Sequence, residues 1–381
     1  MKEARAAGAG PRQDARRVKA MELLAGKMRS LVMAGRFERA FDLGERIMAA
    51  QPPAEVVESI MYPLDRGLTT APEARFYALL SALNRRPRPK RFQAWYVLMA
   101  SVLLDRLHWS HEAIRESEKL IALPRRYGWM RWHRGLMVLN NQWDYSAARA
   151  DFRAVVDSAP QVWKAKALLA EIDISAGNTA RAFLVMTRLL RDVDDPDRAS
   201  VRAWRGEMRL RIGQYRRALR DLDWAAARRS PLALCWRGAC FVKLERFPEA
   251  LRDLDAQIRA HPDDYEAKVW RGEARRLMGL KREALEDLDA VCHRGRDLWA
   301  HVNRGLVRAS IGDRVGLWAD YSSLPDLVRH YFAWKLGKEL SPDSPPDAVA
   351  SQLEAMLRAG RGVRRMNQYL VPLWISSPMK R

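Results

Sequence analysis

Histidine, cysteine and carboxylate residues are where chemistry would have to begin, and their spacing in this chain supports little of it. His108 and His111 stand three apart, so a helix would carry both imidazoles on one face, yet no third ligand falls at a metal-site interval. Cys292 and His293 are adjacent, which on a helix points the two side chains apart. Asp221-Leu222-Asp223, Asp253-Leu254-Asp255 and Asp287-Leu288-Asp289 place carboxylates two apart, on different helix faces, so they form no acid/base dyad. No phosphate-cradling glycine loop occurs. The expectation is a chain without catalytic, cofactor or metal residues.

The Asp-Leu-Asp runs are informative for another reason: they recur. Each follows a Trp-Arg-Gly, at Trp204-Arg205-Gly206, Trp236-Arg237-Gly238 and Trp270-Arg271-Gly272, and Asn303-Arg304-Gly305 continues the series. The glycines lie 32, 34 and 33 residues apart. A period near 34 residues with a small residue in each of two amphipathic helices marks a repeat array, in which stacked helical hairpins bury a continuous core.

Aligned on those glycines, the chain resembles the tetratricopeptide repeat (TPR) family. That pattern has a small residue at the eighth place of helix A, Gly near the fifteenth, Ala at the twentieth, a large apolar residue at the twenty-fourth and often Pro at the thirty-second. Gly206, Gly213, Ala218 and Leu222 fill one unit; Gly238, Phe247, Ala250, Leu254 and Pro262 the next; Gly272, Gly279, Ala284 and Leu288 a third. Gly305, Gly312 and Tyr321 begin a last unit. Upstream, Gly135, Ala148, Phe152 and Pro160, then Ala170, Gly177, Ala182 and Pro196, continue the pattern; Ser101, Ala113 and Pro124, and Gly35, Phe37, Ala40 and Pro52, match it more loosely. The resemblance covers residues 22–322. It implies an all-α, right-handed superhelical solenoid of antiparallel helix pairs, with about seven to eight repeats and a helical C-terminal cap.

Charge supports the same register. Arg134, Arg205, Arg237, Arg271 and Arg304 precede the small helix-A position, and Asp151, Asp221, Asp253, Asp287 and Asp320 precede the large apolar helix-B position. The unit between 163 and 196 has Leu169 and Val185 at those places. Both charges are present in five units and both absent in the sixth, the pattern left by partly buried Arg–Asp bridges between helices A and B, because removing one member of a buried pair is costly. An arginine ladder for phosphate is the functional alternative.

In this family the concave groove is lined mainly by helix A, at places two, five, six, nine, twelve and thirteen. That resemblance makes Trp204, Trp236 and Trp270, all at the sixth place, a candidate stripe of partner anchors, with packing between repeats as the other reading. Glu207 and Glu273 at the ninth place, with Arg211, Lys243 and Arg276 at the twelfth and thirteenth, complete the candidate groove. Such a wall suits an extended or helical segment carrying apolar and basic residues. The branch of the family that clamps chaperone tails uses Lys at the fifth place and Asn at the ninth. Here the fifth places are Trp132, Ala167, Ala203, Cys235, Val269 and Val302 and no ninth place is Asn, so that partner is not implied.

Net charge is +21 with a pI near 10.4, and basic residues cluster at 85–91, at Arg125-Arg126 and at Arg361, Arg364 and Arg365. Two readings stand: an electrostatic footprint for nucleic acid, or an Arg-rich composition on solvated faces. No apolar run approaches the ~18 residues needed to span a bilayer, and Met1 to Ala20 lacks the hydrophobic segment of a secretory signal. Three cysteines give no disulfide framework and point to the cytoplasm. The expected organisation is a basic mobile leader (1–20), degenerate repeats and a basic linker (21–93), a TPR-like array (94–322), and capping helices with an apolar tail (323–381). The first C-terminal helix, around 327–336, suits the cap; the tail Tyr369 to Ile375 either folds back or binds another chain. The functional expectation is a non-enzymatic scaffold for a protein or peptide. A nucleic-acid-associated factor and an accessory subunit presenting a substrate to a separate enzyme are the contrasting classes.

Overall fold

The computed structural model describes residues 11–49, 73–86, 90–107, 109–139, 144–231, 233–293 and 297–360. Among these every regular element is helical. Contacts divide the chain into two compact units, one ending at Leu169 and one beginning at Ala170.

The first unit holds α1 (Pro11–Met33), α2 (Phe37–Ala49), α3 (Glu73–Arg85), α4 (Gln93–Arg106), α5 (Ser110–Glu118), α6 (Arg131–Met137) and α7 (Tyr145–Ser158). Helix α1 starts at Pro11, inside the stretch expected to be a mobile leader. The α1–α2 turn has Gly35 at φ +72, a left-handed conformation that glycine adopts without a Cβ penalty. Met28, Phe41, Leu79, Leu83, Trp95 and Tyr96 build one core. Arg86, which the sequence places in an extended basic linker, is instead bound: its guanidinium donates to Glu38 and Asp42 at 2.6 Å each and to the Tyr96 hydroxyl at 3.0 Å.

Helix α8 (Trp163–Ser175) crosses from the first unit into the second. The second unit continues with α9 (Thr179–Asp192), α10 (Asp195–Arg211), α11 (Tyr215–Ala227), α12 (Ala233–Lys243), α13 (Phe247–Ala260), α14 (Tyr265–Leu277), α15 (Lys281–Cys292), α16 (Leu298–Ser310), α17 (Arg314–Ser322), α18 (Asp326–Leu336) and α19 (Pro346–Gly360). From α10 to α17 these alternate as helix A and helix B. The repeat glycines lie where A crosses B: a Cβ on Gly238 would stand 2.6 Å from Leu254 Cγ, and Gly206 and Gly272 meet Leu222 and Leu288 in the same way. The last unit has Tyr321 at the leucine place, and the space over Gly305 is filled by Leu353 of α19. The Tyr321 hydroxyl also donates to Gln352 Oε1 at 2.5 Å. The helix that closes the array against α16 and α17 is therefore α19, the second C-terminal helix, rather than α18. Arg361, Arg364, Arg365 and the Tyr369–Ile375 tail lie outside the described residues.

Candidate functional site

The arginine before each repeat glycine faces its own helix B. Arg205 donates to Asp221 at 2.8 and 2.6 Å, Arg237 to Asp253 at 2.6 and 2.8 Å, Arg271 to Asp287 at 2.8 and 2.5 Å, and Arg304 to Asp320 at 2.9 and 2.6 Å. One turn further along helix A, Arg209, Arg275 and Arg308 reach the same aspartates at 2.6, 2.7 and 2.9 Å. In the first unit Asp151 takes both Arg131 and Arg134, and its burial still raises its carboxyl above the usual range. The second aspartate of each Asp-Leu-Asp run faces the following repeat: Asp223 accepts from Arg237 at 3.2 Å, Asp255 from Arg271 at 2.6 Å and Asp289 from Arg304 at 2.7 Å. Two carboxylates on different faces of one helix thus join two repeats. The hydrogen bond to Asp253 raises the Arg237 pKa, and with these acceptors occupied the ladder is structural rather than a row of free guanidiniums.

The other side of the A helices does not form the open wall expected of it. Trp204, Trp236 and Trp270 are 2%, 1% and 2% exposed, and Ala203, Cys235, Val269 and Val302 at the preceding places are buried as well. Small side chains there let successive A helices approach closely enough to cover the indoles. This corrects the expectation of half-exposed anchors: the tryptophans pack between repeats. Glu207, Glu273 and Arg211 are buried with them, and Lys243 and Arg276 are half-buried. These charges serve one another. Arg211 bridges Glu207 and Glu171, Lys243 Nζ donates to Glu273 at 2.8 Å and lies 4.6 Å from the Trp270 ring centre, Arg276 donates to Asn303 at 2.9 Å, and the Trp236 indole donates to Glu266 at 3.3 Å. One guanidinium cannot balance two carboxylates, and burial, then the nearby Glu266, pushes the Glu207 carboxyl well above its ordinary value.

What stays open is the rim where A turns into B. Leu277, Met278 and Leu280 in one turn and Ile311 and Val315 in the next are 38%, 41%, 38%, 50% and 83% exposed. Lys281 Nζ donates to the Ser310 carbonyl at 2.9 Å, which ties the two turns together. The sequence signal was present: Leu277-Met278-Gly279-Leu280 puts large apolar residues around a left-handed glycine, where a turn is ordinarily polar.

No protein-family model and no curated protein matches the sequence. Solved structures do. A Rap protein complexed with Competence and Sporulation Factor is similar over 96% of this chain and 100% of its own, at TM-score 0.50 and 11% identity. A tetratricopeptide repeat protein from Parabacteroides merdae (13% identity, 79% and 98% covered, TM-score 0.34) and the TPR domain of P58(IPK) (13%, 90% and 99%, TM-score 0.27) also match. The chain has a TPR-like fold. Its helical hairpins, its glycine crossings and the full-length structural match agree on an all-α solenoid.

Within this TPR-like array the described residues bring together one group of potential metal ligands, Cys292, His301 and Asp320, with ligand atoms within 4.8 Å of one another. As the adjacency implied, His293 points away from Cys292: its ring is exposed and bonds the Asp289 carbonyl, and the imidazole near Cys292 comes from the next helix A. His301 Nδ1 lies 2.9 Å from Asp320, the carboxylate that also holds Arg304 and Arg308. Burial pushes the Cys292 thiol up to about 12, which disfavours the thiolate that nucleophilic chemistry would need. Of the His108/His111 pair, His108 lies outside the described residues. No described helix is long and apolar enough to cross a membrane.

Proposed function

We propose that this TPR-like protein is a non-enzymatic scaffold that holds a segment of another protein along the inner rim of its C-terminal repeats. The exposed apolar set Leu277, Met278, Leu280, Ile311 and Val315 carries this reading: it supplies five of the thirteen exposed large apolar side chains among the described residues, gathered in two adjoining turns. Apolar surface concentrated in this way is what a protein partner buries. Trp204, Trp236 and Trp270 with Glu207, Glu273 and Arg211 are the buried packing of the same array, and half-buried Lys243 and Arg276 are tied to Glu273 and Asn303. In this reading their role is to hold the stacked repeats together. A Rap protein of the same fold is complexed with Competence and Sporulation Factor, which supports an interaction role. The reading assumes a reducing, cytoplasmic setting, in keeping with three free thiols, two of them buried.

The test is crosslinking and mass spectrometry in the native host with wild type, with Leu277→Ser/Ile311→Ser, and with Trp334→Ser, an exposed residue away from the rim. A partner lost only by the double variant, whose Tm stays close to wild type, supports the rim. Unchanged partners in all three would remove it.

A further inference from the structure

The arginines that precede the repeat glycines are bound to aspartates, but those on the outer face of α11 are not. Arg216, Arg217 and Arg220 lie in its first two turns and Arg228 and Arg229 just past its end; all five are exposed, against one exposed carboxylate, Asp223. Among the described residues Arg216, Arg217, Arg220 and Arg229 stand in no ion pair, whereas Asp221, on the opposite side of the same helix, is shared by Arg205 and Arg209 of α10. The excess charge is felt inside: burial lowers the Arg209 pKa, Asp221 offsets this, and Arg205, Arg217 and Arg220 lower it further. The preceding helix B, α9, also carries exposed Arg188 and Arg191, with exposed Asp192 at its end.

We propose that the outer face of α11, extended by α9, binds the phosphate backbone of a nucleic-acid duplex. Residues 216 to 228 span about 18 Å of helix, over which one strand of a duplex presents about five phosphates at roughly 3.4 Å each. Arginine forks suit phosphate oxygens as bidentate partners. On α11 the face offers nothing else to bury, and on α9 its apolar area is Leu184, 50% exposed and in line with Arg188 and Arg191. Its one aromatic, Trp224, is sandwiched between Arg202 at 4.3 Å and Arg228 at 3.5 Å from the ring centre. The other exposed non-arginine positions of α11 are Asp223 and Ala227. A bilayer or a folded protein gains by covering apolar area, so such a face favours a regularly spaced polyanion. Binding is without base selectivity, because no side chain is placed to read a groove edge. This surface is separate from the apolar rim and does not depend on it.

The experiment is fluorescence anisotropy of a labelled 20-base-pair DNA duplex with the full chain, over a series of salt concentrations. The variant Arg216→Gln/Arg217→Gln/Arg220→Gln is compared with Arg36→Gln/Arg39→Gln/Arg46→Gln, which removes the same charge from exposed positions of the first unit. Wild type is expected to bind with about micromolar Kd at low salt. The α11 variant should bind about 10-fold more weakly or worse, with the slope of log K against log salt reduced by about 2–3, while the control stays within about twofold of wild type. Equal loss in both variants would reduce the effect to net charge and overturn the proposal, as would absence of wild-type binding at low salt. Binding to phosphatidylserine vesicles but not to the duplex, lost in the α11 variant, would assign the face to a membrane instead. Melting curves of both variants exclude unfolding as the cause.

Discussion

The two sides of each A helix were read from one register, yet only one has the character that register suggested. Toward helix B, charged residues were expected to pair, and they do: Arg205 and Asp221 are 12% and 2% exposed in their side chains. Toward the next helix A, aromatic and charged residues were expected to stand open, and they are closed. The comparison teaches that the two outcomes are linked. Arg202, Arg205 and Arg209 all turn toward Asp221, two of them within 2.6 Å, so polar groups occupy the intra-repeat crossing. The apolar bulk of helix A is then left on its other side, and water is kept from it by the neighbouring helix A. Ala203 and Cys235 leave room for that approach.

The largest test of this contrast is Trp236→Ala. If the indole is interior packing, the variant loses about 3–5 kcal/mol, read as a fall in Tm and in the midpoint of a denaturant titration. A stable variant that had lost its partner would restore the groove-anchor role and break the comparison on its weaker side.

The paired side is tested by Arg237→Leu. Arg237 is 23% and Asp253 7% exposed in their side chains, so stranding the aspartate should cost about 2–4 kcal/mol. Adding Asp253→Val, which copies the residue types at Leu169 and Val185, should recover much of the loss in a thermal melt. Asp223 also loses a partner in both variants, but it is exposed and contributes little. A single variant as stable as wild type would show that the ladder is a surface decoration.

Why one side was legible and the other was not has a physical cause. A buried charge needs a partner, so the joint presence of Arg and Asp in five units, and their joint absence in the sixth, carries structural information in the sequence itself. Tryptophan carries no such constraint: an indole serves equally as a core residue or as an exposed anchor, and only the spacing of neighbouring helices decides. The hairpin order and the glycine crossings were legible because close approach admits no Cβ. The cap was misplaced because two successive helices were both plausible, and the deciding residue, Leu353, acts only through its meeting with Gly305. The rim at Leu277 to Leu280 was visible as apolar residues around a turn glycine, but the contact between two turns is a property of the stacked repeats.

A smaller effect distinguishes the closed side from an open one by pH. The folded-state pKa of Glu207 is raised, by burial first and by Glu266 second, so folding favours its protonated form. Its stabilising contribution is full below the unfolded value of 4.5 and is lost as pH rises from there through the folded value. Glu207→Gln keeps an acceptor for Arg211 without the ionisation. Tm measured against pH should therefore fall more for wild type than for Glu207→Gln as the pH is raised above about 4.5. Parallel curves would mean that the carboxyl is solvated and the wall open.

The smallest expected effect lies in the turn that leads from the A side to the B side. Four of the second unit's turns between Ala176 and Asp313 use glycine in the left-handed region, at Gly177, Gly213, Gly279 and Gly312, with φ between 77 and 82. The turn between α12 and α13 puts Glu245 there instead, at φ 59. A Cβ in this conformation crowds the following carbonyl, and Glu245 is exposed, so no buried contact offsets the strain. Glu245→Gly should relieve it and raise stability by about 1 kcal/mol, less the added freedom that glycine gives the unfolded chain. The change touches neither the arginine ladder nor the tryptophans, so it should add to the effect of Arg237→Leu rather than alter it. A destabilised Glu245→Gly variant would show that the glutamate makes a compensating contact, and that the turn itself helps to hold the two sides in register.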